Sequence, residues 1–210
     1  TAVNLTNVPY YVNMYRKTEY MLYPQQPKTR LTMGEINELQ DICPLIYKLM
    51  RHILGGEDLE LEHFTNWLAY IFQTRKKAMT AWVLQGVPGT GKGIFYTKVL
   101  RPLFGEEHVP MRALQNIEEQ FNLYMRQALF LVVDEFHMAS ASAGTMKIAD
   151  KLKNAITENT MTIRAMRSNQ VEMPNFTNFI FLTNRMDAVK IEEGDRRYNI
   201  AARQEKKLEE

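Results

Sequence analysis

A short glycine-rich stretch is the part of the sequence whose residue types and spacing most clearly suggest chemistry. It reads GVPGTGKG and matches the pattern G-x-x-x-x-G-K-[ST] at every position but the last. In such a loop the backbone amides point inward, the following helix adds partial positive charge, and the lysine neutralises the β- and γ-phosphates of a nucleotide. We therefore expect ATP to be bound by Gly86, Val87, Pro88, Gly89, Thr90, Gly91, Lys92, Gly93 and Ile94.

Gly93 departs from the pattern, because its position normally carries a serine or threonine hydroxyl that ligates Mg²⁺. Mg²⁺ usually keeps several waters and takes only a few protein ligands, so water can replace this hydroxyl where a carboxylate holds the ion elsewhere. The departure weakens the motif without excluding a working site. From this motif alone, a glycine-rich turn that arose by chance remains the alternative.

Two adjacent acids follow the apolar run LFLVV, which is typical of a buried strand. Ligands of open α/β sheets bind at the carboxyl ends of strands, where Asp134 and Glu135 would lie. We expect Asp134 to hold Mg²⁺, directly or through water, and Glu135 to polarise the attacking water as general base; both carboxylates are candidate metal ligands. Two solvated acids at a strand end are the alternative, but their order after Lys92 favours a nucleoside triphosphatase.

A third apolar run, NFIFLTN, ends in Asn184, and the sequence GDRRYNI follows it. An asparagine at a strand tip can hydrogen-bond the attacking water or the γ-phosphate, although asparagine also commonly ends a strand at a turn. Arg196 or Arg197 could reach the γ-phosphate of a neighbouring subunit, as arginine fingers do. The alternative for these arginines is a local salt bridge to Asp195.

A basic segment lies between the two acids and the third apolar run. Part of it, TMTIRAMRSNQVEM, is compatible with a hairpin whose tip falls near Ser168 and Asn169. A basic tip would meet the phosphate backbone of single-stranded DNA, whereas a solvated edge would carry the same charges to oppose aggregation. Charge alone does not decide between these interpretations. The candidate DNA contacts are Lys151, Lys153, Arg164 and Arg167.

The elements that must position these residues form an α/β pattern. Three apolar runs, at 78–86, 128–135 and 178–184, are separated by helix-length segments, and residues 94–127 are mostly helical in pattern. Such runs predict a parallel sheet with helices on both faces. The glycine-rich stretch then joins the strand WVLQ to the helix IFYTKVLRPLF, which is the context that a phosphate-binding loop requires.

The first 77 residues differ in character from the rest. Residues 1–33 show no sustained period and predict an extended arm, with an aromatic nucleic-acid platform as the alternative. Residues 34–54 predict a helix with a break near Pro44. A second helix after Asp58 carries one apolar face, formed by Leu61, Phe64, Leu68 and Ile71. We expect residues 1–77 to be an arm and helical segment that packs on a core formed by 78–210.

Bulk composition sets wide limits. The 210 residues are 45% apolar and carry a net charge of +2, so the chain is only mildly basic and any nucleic-acid site must come from local placement. The single cysteine, Cys43, excludes an internal disulfide framework and fits a reducing, cytoplasmic location. No apolar run approaches the ~18 residues of a membrane span. The start at Thr1 and the charged ending suggest a piece of a longer protein.

Taken in order, GVPGTGKG, LVVDE, KLKNAIT…TIRAMR and FIFLTN followed by DRRY resemble the motifs of superfamily 3 helicases. The resemblance covers residues 45–200 and is closest to the helicase module of phage and plasmid primase–helicase and primase–polymerase proteins. It implies a P-loop NTPase fold of the AAA+-like type. It also implies a hexameric ring that hydrolyses ATP with Mg²⁺ to move along single-stranded DNA in the 3′ to 5′ direction, with a primase or polymerase domain elsewhere in the parent protein.

The resemblance also implies roles for individual residues. Lys92 becomes the lysine of the phosphate loop, Asn184 the polar sensor, and Arg197 the arginine finger, with Arg196 as the second candidate. Asp134 and Glu135 form the second motif, and Arg164 and Arg167 become the first candidates for DNA contact. Besides Gly93, the chain departs from some viral members in lacking an obvious Lys-His pair in the hairpin.

Other functions of such a loop remain open at this point. An ATPase that binds DNA or a protein without unwinding, such as a helicase loader or an origin-bound switch, would hydrolyse ATP with little stimulation by DNA. A small-molecule kinase would need an arginine-bearing lid and an acceptor pocket, and would not need Asn184 together with an arginine from a neighbour. An assembly module that lost hydrolysis with the loop hydroxyl is the fourth possibility.

Overall fold

The computed structural model describes residues 2–4, 11–13, 15–23, 30–114, 117, 123–136, 143–163, 170–186 and 194–209. In the described residues the chain is a mixed α/β protein. Its elements are β1 (Ala2–Asn4), β2 (Tyr11–Asn13), α1 (Met33–Asn37), α2 (Leu39–Ile42), α3 (Pro44–Ile53), α4 (Asp58–Thr74), β3 (Ala81–Gln85), α5 (Lys92–Ile94), a π-helical turn (Phe95–Leu100), α6 (Arg101–Phe104), β4 (Met111–Ala113), β5 (Phe130–Asp134), α7 (Ala143–Thr157), β6 (Thr160–Ile163), β7 (Val171–Pro174), β8 (Asn178–Thr183) and β9 (Tyr198–Ile200).

Five parallel strands form the central sheet, in the order β4-β5-β8-β3-β9. The three strands predicted from apolar runs, β3, β5 and β8, lie side by side in its middle. All six residues of β8 are buried, as are the first four residues of β3 and of β5. Strands covered on both faces need continuous apolar runs rather than alternation, which is why these three could be recognised in the sequence.

The register of the sheet places three strand ends at one edge. Val83 of β3 lies opposite Phe181 of β8, and Phe181 lies opposite Val133 of β5. Because the strands are parallel, their carboxyl ends meet at the same edge. The glycine-rich loop, the acidic pair and Asn184 follow these three ends, so the fold brings the predicted motifs to one side of the sheet.

Helices cover both faces of the sheet. Alternate residues of a strand point to opposite faces, so Trp82 and Leu84 join a core with α3, α4 and the helical segment after the loop. On the other face, Val83 and Phe181 pack with α7 through Leu152 and Ile156. The predicted sheet with helices on both faces is confirmed.

The helical segment before the sheet packs on it as predicted. Its apolar face is buried in the core that also contains Trp82, and the side chains that form this face are Leu61, Phe64, Leu68 and Ile71. The predicted break is present, with Pro44 as the first residue of α3, where its missing N–H costs no helical hydrogen bond. The boundary after residue 77 falls between α4 and β3, and side chains from both sides of it share one core.

Residues 94–127 are only partly helical, which differs from the prediction. The helical run ends at Phe104, and Met111–Ala113 form the edge strand β4. Three residues with a charged side chain in the middle carry no strand signal of their own; β4 exists because β5 offers it a hydrogen-bonding edge. The first residues differ similarly, since β1 and β2 pair antiparallel within the predicted extended arm.

The predicted hairpin is present between α7 and β8. Strands β6 and β7 pair antiparallel, with Thr160 opposite Pro174 and Ile163 opposite Val171. The tip at 164–169, and with it the candidate DNA contacts Arg164 and Arg167, lies outside the described residues. Within the part of the chain that the structure describes, no helix is long and apolar enough to cross a membrane.

Candidate phosphate-binding site

The glycine-rich loop connects the carboxyl end of β3 to α5. Its shape depends on backbone conformations and close contacts that glycine allows. Gly91 immediately precedes the helix at a φ of +90°, in the left-handed region. A Cβ placed there would lie 2.7 Å from Cδ1 of Leu49, so α3 packs directly against the loop backbone. The close approach and the positive φ together explain why the loop needs a glycine at this position.

Lys92, the first residue of α5, lies inside this loop. Its side chain is buried, and its Nζ donates to the carbonyl of Gly86 at 2.9 Å, to Oγ1 of Thr90 at 3.0 Å and to the carbonyl of Val87 at 3.4 Å. Burial lowers the pKa of Lys92, the charge of Arg203 lowers it further, and the charge of Asp134 opposes both. The ammonium therefore lies in a partly desolvated place where binding an anion would stabilise its charged form.

Asp134 and Glu135 lie at the carboxyl end of β5. Asp134 is half-buried, accepts a hydrogen bond from the backbone N–H of Glu135 at 2.9 Å, and acts electrostatically on Lys92. Glu135 is exposed and has a φ of +52°, a left-handed conformation that is uncommon for a residue with a side chain. Such backbone outliers cluster at functional sites, so the unusual backbone conformation of Glu135 points to a functional role for this residue.

Asn184 follows β8 beside the loop. The carbonyl of Thr183, the last residue of β8, accepts from the N–H of Gly86 at 3.2 Å, which ties the strand end to the start of the loop. Asn184 itself is exposed, and its carbonyl accepts from Nη1 of Arg203 at 3.0 Å. The structure thus brings Lys92, Asp134 and Asn184 to one edge of the sheet, as their positions in the sequence predicted.

The two candidate finger arginines lie at the other edge of the sheet. The carbonyl of Arg197 accepts from the N–H of Ala81 at 2.8 Å, at the start of β3 and β9, so Arg197 is a full strand away from the loop of its own chain. Its guanidinium forms a two-point ion pair with Asp195, at 2.9 Å and 3.1 Å. Hydrogen bonding to Arg197 is the main cause that lowers the pKa of Asp195 to about 2. The local salt bridge left open by the sequence is present, and Arg196 lies beside it in the chain.

The candidate DNA contacts that fall in α7 have different surroundings. Lys151 is exposed. Lys153 is mostly buried, with its Nζ 3.5 Å from Oδ2 of Asp195, so it belongs to the same charged group as Arg197. The DNA-contact role of both lysines, and of Arg164 and Arg167, stays a prediction.

The sequence did not indicate that residues after β9 help to build the loop. The N–H of Gln204 donates to the carbonyl of Gln85 at 3.1 Å, and its carbonyl accepts from Val87 at 2.9 Å. Further along, the N–H of Leu208 donates to the carbonyl of Gly89 at 2.9 Å. These bonds involve backbone groups alone, so a charged run such as RQEKKLEE carries no pattern that reveals them.

Arg203 in this C-terminal segment is the main side chain that the sequence did not single out. Its side chain is only 16% exposed, although arginine is usually solvated. Nε donates to Oε1 of Glu205 at 2.7 Å, and Nη1 reaches the carbonyl of Asn184. The side chain of Arg203 therefore begins in the segment after β9, crosses the end of β3, and reaches the end of β8 with its guanidinium.

The connections that leave β3 and β5 run to opposite faces of the sheet, and β8 lies between these two strands. The helical segment after β3 packs on one face of the sheet, and α7, which follows β5, packs on the other. Ligands of open α/β sheets bind where successive connections leave to opposite faces. A cavity of about 470 Å³ lies between α3 and the C-terminal segment; Tyr47, His52 and Gln204 are among its lining residues, and no residue of the glycine-rich loop is.

The residues present fit a magnesium site of the open kind. Among the described residues no group of three histidine, cysteine or acidic side chains is arranged to enclose a metal ion. Mg²⁺ bound with phosphates does not need such a cage, because one or two carboxylates, waters and phosphate oxygens complete its shell. Asp134 and Glu135 supply carboxylates at the correct edge. Gly93 adds no ligand, but it is exposed, and a Cβ at this position would meet no atom within 4 Å.

These features define a class: an α/β protein with a glycine-rich, lysine-bearing loop at the carboxyl edge of a parallel sheet. The chain belongs to a family of unknown function (DUF5906), which matches residues 84–197, from the end of β3 to the start of β9. The matched range contains the loop, the acidic pair and both arginines.

One relative of the chain is a phage protein. The chain is 29% identical over 191 residues to a DNA primase-polymerase of Nitratiruptor phage NrS-1, over 90% of this chain and 24% of that protein. It therefore spans about a quarter of the length of this relative. The predicted resemblance to phage primase–polymerase proteins is confirmed, and the assignment to a superfamily 3 helicase module stays a prediction.

Solved structures of the NrS-1 C-terminal region share the fold. An A-form apo structure of that region has a TM-score of 0.72 at 29% identity, covering 93% of this chain and 42% of that chain. A second apo structure has a TM-score of 0.73 at 29% identity, with 90% and 42% covered. The chain is homologous to part of this C-terminal region.

Proposed function

We propose that the chain is the ATP-hydrolysing module of a phage or plasmid replication protein, and that it is a helicase of the superfamily 3 type with a P-loop NTPase fold. The observation that carries the proposal is the placement of Lys92, in the loop after β3, and of Asp134, the last residue of β5, at the same edge of one parallel sheet. A phosphate-gripping cation beside a metal-holding carboxylate is the minimum that nucleotide hydrolysis requires. The homology to a phage DNA primase-polymerase supports a role in DNA replication.

The loop and Lys92 would bind the triphosphate. The amides from Gly89 to Ile94 lie at the start of α5, where a helix N-terminus favours anions. Lys92 would exchange its bonds to Gly86 and Thr90 for bonds to the β- and γ-phosphates.

The acidic pair would act on water and metal. Mg²⁺ bound with the phosphates would neutralise charge that develops on the γ-phosphoryl group. Asp134 would bind the ion directly or through water, and Glu135 would accept a proton from the attacking water. Glu135 has a left-handed backbone directly after β5, and Asn184, directly after the neighbouring strand β8, would orient the same water.

The finger role proposed for Arg197 requires a second subunit. Arg197 lies at the amino edge of the sheet, opposite the loop of its own chain, so only a neighbouring chain's nucleotide is within its reach. Asp195 holds its guanidinium in one orientation through two hydrogen bonds. This arrangement supports a ring, for which we propose six subunits, with Arg196 as the second candidate for the same role.

Single-stranded DNA is the proposed track of this ring. The β6–β7 hairpin directly follows α7, and α7 carries Lys153, which contacts the ion pair of Asp195 and Arg197. A hairpin that grips DNA would thereby be connected to the arginine that senses the neighbouring nucleotide. Lys151, Arg164 and Arg167 would meet the phosphate backbone. The parent protein would carry the primase or polymerase domain and act in the cytoplasm of the host cell.

One observation favours a second function, an ATPase that binds DNA without unwinding it. Gly93 provides no hydroxyl to the metal, and slow hydrolysis suits a loader or switch better than a motor. DNA stimulation of hydrolysis separates the two functions.

The test is the rate of ATP hydrolysis as a function of protein concentration, with and without single-stranded DNA. A ring with shared sites predicts a rate that rises more steeply than linearly with concentration and increases with DNA. A linear rate that ignores DNA would reject the helicase, and a wild-type chain without magnesium-dependent hydrolysis or ATP binding would reject the nucleotide site itself.

A further inference from the structure

We propose that Arg203 is a second cation for the polyphosphate and acts on the nucleotide bound by its own chain. This inference rests on the proposed function, because it concerns the same phosphate site. It adds a residue that lies outside the family match, which ends at residue 197. It also assigns a role to the C-terminal segment, which would otherwise be a charged tail.

The backbone path places Arg203 at the carboxyl edge of the sheet. The N–H of Ala201 donates to Val83 at 3.0 Å, and Gln204 bonds to both Gln85 and Val87, so residue 203 lies level with the end of β3. From there the side chain crosses to β8 and donates to the carbonyl of Asn184. The guanidinium consequently lies between the end of β3, where the loop begins, and the end of β8.

The charges around Arg203 favour a polyanion. Arg203 and Lys92 lie at the same carboxyl edge of the sheet, and the charge of Arg203 lowers the pKa of Lys92. Two like charges at short range cost free energy, and an anion between them offsets that cost. Glu205, which pairs with Arg203, is 62% exposed, so solvent screens much of its charge, whereas Arg203 is 16% exposed.

The guanidinium has donors suited to phosphate. Arginine presents five N–H groups in a planar fork that matches phosphate oxygens. Among the described residues, Arg203 donates through Nε to Glu205 and through Nη1 to Asn184, and Nη2 donates to none of them. The bond to Asn184 holds the fork in place, so a phosphate contact would need little further ordering of the side chain.

Arg203 and Arg197 would act on different nucleotides. Arg197 lies at the amino edge and would serve a neighbour, whereas Arg203 lies at the carboxyl edge beside the loop of its own chain. Binding of ATP by dilute, monomeric protein should therefore depend on Arg203 and be independent of Arg197.

The experiment measures the dissociation constants of ATP, ADP and AMP, each with Mg²⁺, for the whole chain at a concentration where it is monomeric. We expect Arg203→Gln to weaken ATP binding by about 10- to 100-fold, the usual effect of losing a hydrogen bond between charged groups. The loss should be smaller for ADP and smallest for AMP, because it follows the number of phosphates. Arg203→Lys should restore part of the ATP affinity.

The matched control is Arg101→Gln. Arg101 also pairs with one glutamate, at 3.0 Å from Glu106, and is partly buried, but it lies at the far end of the helical segment after the loop. We expect this variant to bind all three nucleotides as the wild type does. Lys92→Ala serves as the positive control and should lose ATP binding.

Each outcome discriminates. If Lys92→Ala loses ATP binding while Arg203→Gln binds like Arg101→Gln, the inference is overturned and the proposed function stands. Equal weakening of ATP, ADP and AMP, together with a lower melting temperature, would show that Arg203 only holds the C-terminal segment in place, and would also overturn it. A wild-type chain that binds no ATP would reject the proposed function and the inference with it.

Discussion

The ammonium of Lys92 donates to the carbonyl of Gly86 at 2.9 Å, so the glycine-rich loop closes around its own lysine. The carbonyl of Val87 and the hydroxyl of Thr90 complete this ring of oxygen acceptors. Because none of these acceptors carries a charge, a phosphate that enters the loop would bind the ammonium more strongly. The loop is thus already shaped around the cation that nucleotide binding would use.

Replacing Lys92 with alanine should reduce the rate of ATP hydrolysis at least about 100-fold, because the cation that stabilises charge on the phosphates is lost. The rate is measured at saturating ATP and Mg²⁺. Lys98→Ala, which removes an exposed lysine from the same helical segment, is the control and should leave the rate unchanged. If Lys92→Ala hydrolysed ATP as fast as Lys98→Ala, the catalytic site would lie elsewhere.

Introducing serine at Gly93 should lower the Mg²⁺ concentration that gives half-maximal hydrolysis, by about tenfold if one ligand bond of roughly 1.4 kcal/mol is added. No atom lies within 4 Å of a Cβ at this position, so the serine fits without rearrangement. Gly93→Ala fills the same space without a hydroxyl and should leave the Mg²⁺ requirement unchanged. A serine variant with the wild-type requirement would show that water already serves as well as the hydroxyl.

Replacing Gly91 with alanine should destabilise the fold and the loop. The new Cβ would meet Leu49 at 2.7 Å, and the residue has a φ of +90°. Gly56 is a matched control, because it has the same φ but no atom within 4 Å. We expect Gly56→Ala to lower the free energy of unfolding by about 1 kcal/mol and Gly91→Ala by at least about 1 kcal/mol more. Urea denaturation measures both, and equal losses would contradict the packing of α3 on the loop.

Mixing two inactive variants should restore activity if Arg197 acts on a neighbour. Lys92→Ala lacks a working loop and Arg197→Ala lacks the finger, but a mixed ring would contain interfaces that combine the intact loop of one subunit with the intact Arg197 of another. We expect hydrolysis to reappear on mixing, at a fraction of the wild-type rate. Mixing Lys92→Ala with Arg203→Gln should give no more hydrolysis than the two variants give separately, because both residues serve the same loop. The absence of any recovery in the first mixture would reject the finger role.

The ion pair of Asp195 and Arg197 should make stability depend on acid pH. The pKa of Asp195 is lowered from 3.8 to about 2, so its carboxylate stabilises the fold above about pH 4, and this contribution is lost as the pH falls toward 2. We expect Asp195→Asn to lower the free energy of unfolding by roughly 1 to 2 kcal/mol at pH 7, with a difference from the wild type that shrinks between about pH 4 and pH 2.5. A difference that stays constant across this range would show that the carboxylate charge does not contribute.

The sequence revealed the elements that are buried on both sides. Strands β3, β5 and β8 are continuous apolar runs because helices cover both faces of the sheet, and the apolar face of α4 follows from helical spacing. The short strand β4 lies at an edge of the sheet and owes its structure to hydrogen bonds offered by β5. The sequence of three residues with mixed polarity does not reveal that a neighbouring strand will pair with them.

The candidate site was predictable to the same degree. Lys92, Asp134 and Asn184 follow three buried strands that are parallel, so their meeting at one edge could be inferred from chain order. Arg203 could not be inferred, because it reaches the site through backbone pairing of the C-terminal segment with the loop. The ion pair of Asp195 with Lys153 likewise depends on how α7 lies against the start of β9, whereas the local salt bridge of Asp195 with Arg197 was one of the alternatives that the sequence offered.

The central claim is that a nucleotide binds through its phosphates to the loop around Lys92. A crystal structure of the chain with a non-hydrolysable ATP analogue and Mg²⁺ tests it most directly. The account predicts a triphosphate against the amides of residues 89–94, with Nζ of Lys92 moved from Gly86 to a phosphate oxygen and Mg²⁺ on the Asp134 side. Density for the analogue at another place, or none at saturating concentration, would contradict it.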